Sequence, residues 1–176
     1  KRQALTKYAD GQNVLNCYSY TGGFSVYALG AGAKRVVSVD ASESALELAE
    51  ENIKLNKLDI KKCDFICADV SEYLNGLKIG DSELTPENFS VIILDPPAFV
   101  KDRHKIHEGL QGYKKINTLA LSLLPENGVL VSASCSAHVG LNDFRFMLSE
   151  SAGRAGRGLQ ILETFTHGID HPELVA

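Results

Sequence analysis

The stretch Val91-Ile92-Ile93-Leu94-Asp95-Pro96-Pro97-Ala98-Phe99 decides how the chain is read. Four consecutive apolar, β-prone residues without alternation read as a strand buried on two faces, as in a parallel sheet. Asp95 at its end is held extended by Pro96, because a residue before proline avoids the helical region. A second run of the same kind, Val129-Leu130-Val131-Ser132-Ala133, leads into Ser134-Cys135-Ser136. If the two strands are parallel neighbours, Asp95 and Cys135 emerge at one edge about one strand spacing apart, roughly 5 Å. Open α/β sheets bind ligands at such strand ends.

Working outward, strands and helices alternate along the chain. A strand over 13–17 is followed by a helix over 23–29 and a second strand over 35–39. Ser42 caps a helix reaching 56, with Glu43 in its first turn and Ala45, Leu48, Ala49 and Ile53 at helical spacing on one face. A third strand over 64–67 and a short helix over 71–74 precede 76–90, whose Gly, Asp, Pro and Asn content marks a surface loop. After the fourth strand, the polar stretch 101–108 precedes a helix over 110–124 with Ile116, Leu119, Ala120 and Leu123 inward. The fifth strand runs to Ser134 and a helix covers 142–151. The glycine-rich turn 153–158 then leads into a sixth strand over 160–165. The expected fold is α/β, a doubly wound and mostly parallel sheet.

With 176 residues, 44% hydrophobic and 23% charged, the chain suits one globular domain with a sizeable core. No apolar stretch approaches membrane-spanning length and no signal segment opens the chain, so a soluble, cytoplasmic protein without membrane partners is expected. Cys17, Cys63, Cys67 and Cys135 lack metal-ligand spacing, so no metal is expected and free thiols are, with Cys63 and Cys67 as strand filling. A start at Lys1 inside an amphipathic segment suggests a piece of a longer protein with a partner domain. The net charge of −4 argues against an electropositive nucleic-acid surface over the whole domain.

After the first strand comes Tyr18-Ser19-Tyr20-Thr21-Gly22-Gly23-Phe24-Ser25, where adjacent glycines let a ligand approach the backbone at a helix start. The spacing is not Gly-x-Gly-x-x-Gly, which disfavours a pyrophosphate. Gly30-Ala31-Gly32 ends a helix and reads as a C-cap. Asp40 ends the second strand, where α/β nucleotide sites place an acid for ribose hydroxyls. Asp69, at the end of the third, suits an adenine amino group. Each aspartate alone could be a cap or turn residue; three consecutive strand ends with fitting chemistry favour a site.

Asn16-Cys17-Tyr18-Ser19-Tyr20-Thr21-Gly22-Gly23-Phe24, Val39-Asp40, Ala68-Asp69-Val70, Asp95-Pro96-Pro97-Ala98-Phe99, Gly112-Tyr113-Lys114 and Ser134-Cys135-Ser136 together resemble class I S-adenosylmethionine-dependent methyltransferases. The set is most similar to the bacterial large-subunit ribosomal RNA cytosine-5 methyltransferases, over essentially the whole chain. The resemblance implies a Rossmann-like catalytic domain over 1–176, S-adenosylmethionine as cofactor and ribosomal RNA as partner. It also implies an N-terminal RNA-binding domain of the PUA type in the longer chain, and it allows a homodimer. Tyr20, Thr21, Gly22, Gly23 and Phe24 would take the methionine part of the cofactor, Asp40 and Ala41 its ribose, and Asp69 and Val70 its adenine, with Asp95 at the same site. Sheets of this family finish with a seventh strand antiparallel between the fifth and sixth. After Asp170-His171-Pro172 too few residues remain for it, so a missing last strand, a truncated sheet edge or a disordered tail is expected.

Carbon 5 of cytosine is a poor nucleophile, so methylation there requires a thiolate to add at carbon 6. The resemblance gives Cys135 that role and lets Asp95 hydrogen-bond the pyrimidine edge. Pro96 and Pro97 would stiffen a substrate-binding loop. Phe99 would either stack on the base or plug the core. Another branch carries a second cysteine after the proline pair for product release, where this chain has Ala98 and Phe99. His138 is a candidate base or thiolate partner, or simply an exposed histidine. Lys101 and Arg103, with His104, Lys105 and His107, form a loop for RNA phosphates or a solvated loop, which Lys114 and Lys115 could extend. Tyr113 suits packing or the site, and Arg154 and Arg157 read as loop charges. Two alternatives are a base-nitrogen RNA methyltransferase, which an aromatic after Asp-Pro-Pro also suits, and a non-catalytic cofactor-binding RNA module.

Overall fold

Where the sequence places apolar runs, the chain forms strands. The computed structural model describes residues 2–80, 89–100 and 102–166, with Arg103 in its backbone only. In chain order these form α1 (Arg2–Ala9), β1 (Asn13–Cys17), α2 (Gly23–Gly30), β2 (Arg35–Asp40), α3 (Glu43–Leu55), β3 (Cys63–Cys67), α4 (Val70–Ile79), β4 (Val91–Leu94), α5 (Ile106–Leu123), β5 (Val129–Ser132) and α6 (Leu141–Ala155). The strands make one sheet in the order β3-β2-β1-β4-β5, every pair parallel. The order reverses between β1 and β4, which is the switch point where α/β sheets open a crevice.

Alternation along the strands feeds two cores. Leu15, Val37, Val39, Ile92 and Leu94 face α4, α5 and α6 through Leu74, Leu77, Ile116, Ala120 and Ala152. Val14, Val36, Val91 and Ile93 face α1, α2 and α3 through Leu5, Ala9, Phe24, Ala28 and Ile53. Helices on both faces explain why β4 is buried at all four positions. Among the described residues no helix is long and apolar enough to cross a membrane. All four cysteines are free, Cys17 and Cys63 buried, Cys67 and Cys135 exposed.

One face assignment and the bounds of three helices are corrected. On α3, Leu48 is half exposed and Leu46 takes the inward position. The helix expected over 71–74 is two turns longer, because Tyr73, Leu74 and Leu77 continue its buried stripe to Gly80, whose left-handed φ of 72° ends it. Residues 81–88 of the expected loop lie outside the described residues. α5 begins four residues early, after a tight turn over Arg103–Lys105 in which His104 donates its N–H to Asp102. α6 runs on to Ala155, taking in Gly153 and Arg154 before the left-handed Gly156.

The sixth strand does not form. Residues 157–166 carry no regular structure, and Ile161, Leu162 and Phe165 are exposed. Among the described residues no strand stands beyond β5 to give this segment a ladder partner, and a strand without partners is not stable in water. Side chains tether it instead: Glu163 accepts from Lys7 at 3.1 Å and from the Tyr8 hydroxyl at 2.8 Å, and Arg145 donates to Thr164 at 3.3 Å. The expected tail past 170 lies outside the described residues.

Candidate active site

Beyond β1 the backbone coils tightly. Tyr18 and Tyr20 adopt left-handed φ values of 57° and 48°, and Gly22 one of 75°. The Ser19 N–H extends the β2 ladder to the Val39 carbonyl at 3.0 Å, and the Gly22 N–H closes a turn on Ser19 at 2.9 Å. A Cβ on Gly22 would lie 2.8 Å from the Ala49 Cβ, so backbone conformation and space both demand glycine. Asn52 on α3 donates to the Thr21 carbonyl at 2.9 Å and pins the loop from the other side. α2 then starts without a side-chain cap or an acid in its first turn. Its free N–H groups suit an anion. The Arg2 guanidinium sits beside them, its Cζ 5.9 Å from the Phe24 ring centroid.

Asp40 and Asp69 occupy neighbouring strand ends. Asp40 accepts the Tyr20 N–H on one oxygen at 2.8 Å and the Ser42 N–H on the other at 3.0 Å. Each oxygen keeps lone-pair capacity for a ligand hydroxyl. Asp69 caps α4 by accepting the Glu72 N–H at 2.9 Å and stays exposed. The cap role leaves the exposed carboxylate able to accept from a ligand as well. Tyr18 stands near both: burial first, then Cys17, Asp69 and Asp40, raise its phenol above the usual tyrosine range. Beneath the loop, Asn16 donates to Ser25 at 2.9 Å, Ser25 pairs with Ser38 at 2.7 Å, and Ser38 lies 3.7 Å from the Cys63 thiol. Burial pushes that thiol up to about 11, against the opposing Ser38 hydrogen bond. Cys17 is also raised by burial.

On the other side of the switch point, the β4–β5 ladder runs one residue past the strands, the Ala133 N–H donating to Leu94 at 2.9 Å. The two chains then part into the loops carrying Asp95 and Cys135; the register sets Asp95 level with Ala133, so Cys135 lies two residues farther along its chain and not directly opposite Asp95. Side chains link them. Ser136 accepts the Val100 N–H at 3.2 Å, and Cys135 points its thiol at the Pro96 carbonyl, 3.6 Å away. Cys135 is exposed and Asp95 half-buried. Among the described residues the hydrogen-bond partner of Cys135 is a carbonyl, not a base; His138 is exposed on the turn toward α6.

The remaining expected residues divide by exposure. Tyr20, Ala41 and Pro97 are exposed, Thr21 and Gly23 half-buried, and Pro96 buried. Phe24 and Val70 are core side chains, so only their main chains can face a cofactor. Phe99 packs against Tyr18 at a centroid distance of 6.3 Å and against Tyr113 at 4.7 Å, the core-plug arrangement. A Cβ on Gly112 would stand 3.0 Å from the Phe99 ring, so α5 has no room for a side chain there. Lys101 and the Arg103 side chain lie outside the described residues. Lys114 leaves the expected basic patch: it is buried and ion-paired with Glu150 at 2.6 Å. Lys115 instead lines a groove of about 300 Å³ between α4, α5 and α6 with Asn75, Gln111 and Arg154. Arg157 donates to the Pro125 carbonyl at 2.7 Å. Asn52 and Arg2 are not marked by the sequence, because each meets the glycine loop only through the fold; the serines beside Cys135 belong to a marked motif, but their hydrogen bonds to Tyr113 do not show in it.

A glycine cradle, an uncapped helix start and carboxylates at successive strand ends fit an adenosyl amino acid, and the comparison with known proteins agrees. The model of the S-adenosylmethionine-dependent methyltransferases matches residues 1–175. This chain belongs to that family. Its cofactor is S-adenosylmethionine. The chain is 43% identical over 171 residues to a protein of Citrobacter koseri named Ribosomal RNA large subunit methyltransferase I, covering 97% of this chain and 42% of that one. It thus spans less than half the length of this relative. Among solved structures it is similar to a methyltransferase complexed with S-adenosylhomocysteine, with a TM-score of 0.74, 29% identity, and coverage of 86% of this chain and 39% of that one. It also resembles the Pyrococcus abyssi tRNA (uracil-54, C5)-methyltransferase in complex with S-adenosyl-L-homocysteine, with a TM-score of 0.51, 26% identity, and coverage of 84% and 30%.

Proposed function

We propose that this chain is the catalytic domain of a longer enzyme that methylates carbon 5 of a cytidine in large-subunit ribosomal RNA. The observation that carries the reading is the exposed Cys135 thiol standing 3.6 Å from the Pro96 carbonyl of the Asp95 loop, beside the cofactor edge. The names of the relatives support ribosomal RNA as substrate, and the pyrimidine carbon 5 specificity named for one structural neighbour supports the position.

The main chain of 20–24 would seat the cofactor, with Arg2 and the open start of α2 available to its carboxylate, Asp40 to its ribose and Asp69 to its adenine. S-adenosylmethionine supplies an electrophilic methyl group. The Cys135 thiolate would add to carbon 6 of the cytosine, and the electron pair released to carbon 5 would take the methyl carbon as its bond to the sulfonium sulfur breaks, with S-adenosylhomocysteine as the leaving group. Transfer of the carbon 5 proton to solvent water would then restore the ring and expel the thiolate. Asp95 accepts a hydrogen bond from the pyrimidine edge while the adduct exists. Pro96 and Pro97 hold that carboxylate on a stiff loop.

Packing of Phe99 against Tyr18 and Tyr113 weighs against the nitrogen-methylating alternative, which draws on a free aromatic after Asp-Pro-Pro. The net charge of −4 and the burial of Lys114 favour RNA recognition shared with the rest of the longer protein. Cys135→Ala in the full-length protein tests the reading. Methyl transfer and covalent RNA adducts should both vanish while binding of S-adenosylhomocysteine persists. Transfer at the wild-type rate would place the chemistry on nitrogen and overturn it.

A further inference from the structure

Tyr113 belongs to α5, yet its hydroxyl lies between the two loops at the ends of β4 and β5. The residue is wholly buried. Its hydroxyl accepts from Ser134 at 3.0 Å and shares a hydrogen bond with Ser136 at 2.9 Å, so it grips the residues on either side of Cys135. Ser136 in turn accepts the Val100 N–H, and the Ser136 N–H donates to Ser134 at 3.2 Å. The Tyr113 ring meets Phe99, the residue directly before Val100. One phenol therefore touches both loops.

We propose that the Tyr113 hydroxyl is a positioning group that sets the place of the Cys135 thiol relative to Asp95. The proposal rests on the reading of Cys135 as nucleophile. The geometry carries it further than packing alone. One helical turn below Tyr113, buried Asn117 donates to the Tyr113 carbonyl at 2.8 Å and accepts from Ser132 at 2.8 Å. Four residues of helix rise about 6 Å, and two residues of strand about 6.6 Å, so Tyr113 and Asn117 match Ser134 and Ser132 in height. α5 thus grips the β5 chain at two successive same-face positions, the second past the last ladder bond. Without the upper grip the serine hydroxyls would have to find other partners, and Cys135 would rest on one weak contact with Pro96. Misplacement of a reacting atom by about 1 Å can cost a hundredfold in rate.

Tyr113→Phe keeps the ring packing and removes the hydroxyl; Ser136→Ala removes the partner. In the full-length protein, each should lower kcat for methyl transfer about tenfold to a hundredfold with the KM for S-adenosylmethionine held within about twofold. The double variant should lose clearly less than the product of the two single losses, because the two groups share one bond while each keeps one other partner. Wild-type kcat in both single variants, fully multiplied losses, or a loss confined to cofactor affinity would each overturn the proposal. Cys135→Ala separates the two levels. If that variant is inactive while Tyr113→Phe and Ser136→Ala match the wild type, only the positioning role fails. If Cys135→Ala is active, the nucleophile reading fails and takes the positioning role with it.

Discussion

The two halves of the strand-end crevice are built by different means. On the β1–β2–β3 side the main chain does the shaping: left-handed turns at Tyr18, Tyr20 and Gly22, amide hydrogen bonds into Asp40, and an open helix start. On the β4–β5 side, side-chain hydroxyls of Tyr113, Ser134 and Ser136 hold two loops, the first of which Pro96 and Pro97 leave short of amide donors. A backbone cradle tolerates many side chains as long as its glycine stays. A hydroxyl network depends on the particular residues at its nodes.

Substitutions can break this contrast from either side. Cys135→Ala should have the largest effect, loss of methyl transfer by more than about a thousandfold with S-adenosylhomocysteine binding retained, as calorimetry would show. Gly22→Ala should act in the opposite sense. The left-handed backbone alone costs about 1–2 kcal/mol and the new methyl group strikes Ala49, so cofactor affinity should fall at least about tenfold and the melting temperature should drop. Unchanged affinity in that variant would dissolve the distinction between the halves.

Much of the cofactor half is legible in the sequence because its signals are local. Gly22, Gly23, Asp40 and Asp69 lie within six residues of the ends of apolar runs, and the structure puts them at adjacent strand ends. The strand order is consistent with what those runs imply. The other half resists such reading. Tyr113 lies 21 residues before Ser134 and meets it only through the fold. Lys114 looks like surface charge until α6 brings Glu150 to it. The sixth strand has a convincing apolar pattern at 160–165, yet a strand needs a neighbour that no local pattern supplies.

Thiol chemistry sharpens the contrast more gently. Iodoacetamide at neutral pH should modify Cys67 and Cys135 at least about tenfold faster than Cys17 and Cys63, whose thiols are buried and raised. Peptide mapping by mass spectrometry reads the order. The smallest effect is expected outside the crevice, at Glu163. Its carboxyl is held below the usual range by the Tyr8 hydroxyl first and then by Lys7. A lowered folded value means the tether is in place above the ordinary carboxylate pKa of about 4.3 and is lost as pH falls through the lower folded one. Protection of 157–166 against an acid-active protease should therefore drop as pH falls below the ordinary carboxylate range, while β1 and β4 stay protected. Protection that does not change with pH would show that the apolar residues, not Glu163, hold the segment.

The buried line from Asn16 through Ser25 and Ser38 to Cys63 bears on how the sheet assembles. Asn16 and Ser38 are opposed in the β1–β2 register, and apolar neighbours surround them. A slip of one residue would turn Ser38 to the other face, leaving Asn16 and Ser25 short of a partner in a dry interior at about 1–3 kcal/mol for each group. Apolar side chains such as Val36, Val37 and Val39 would tolerate that slip far better. A few hydroxyls thus act as a proofreading key, rejecting misaligned collapsed states before the catalytic edge can form.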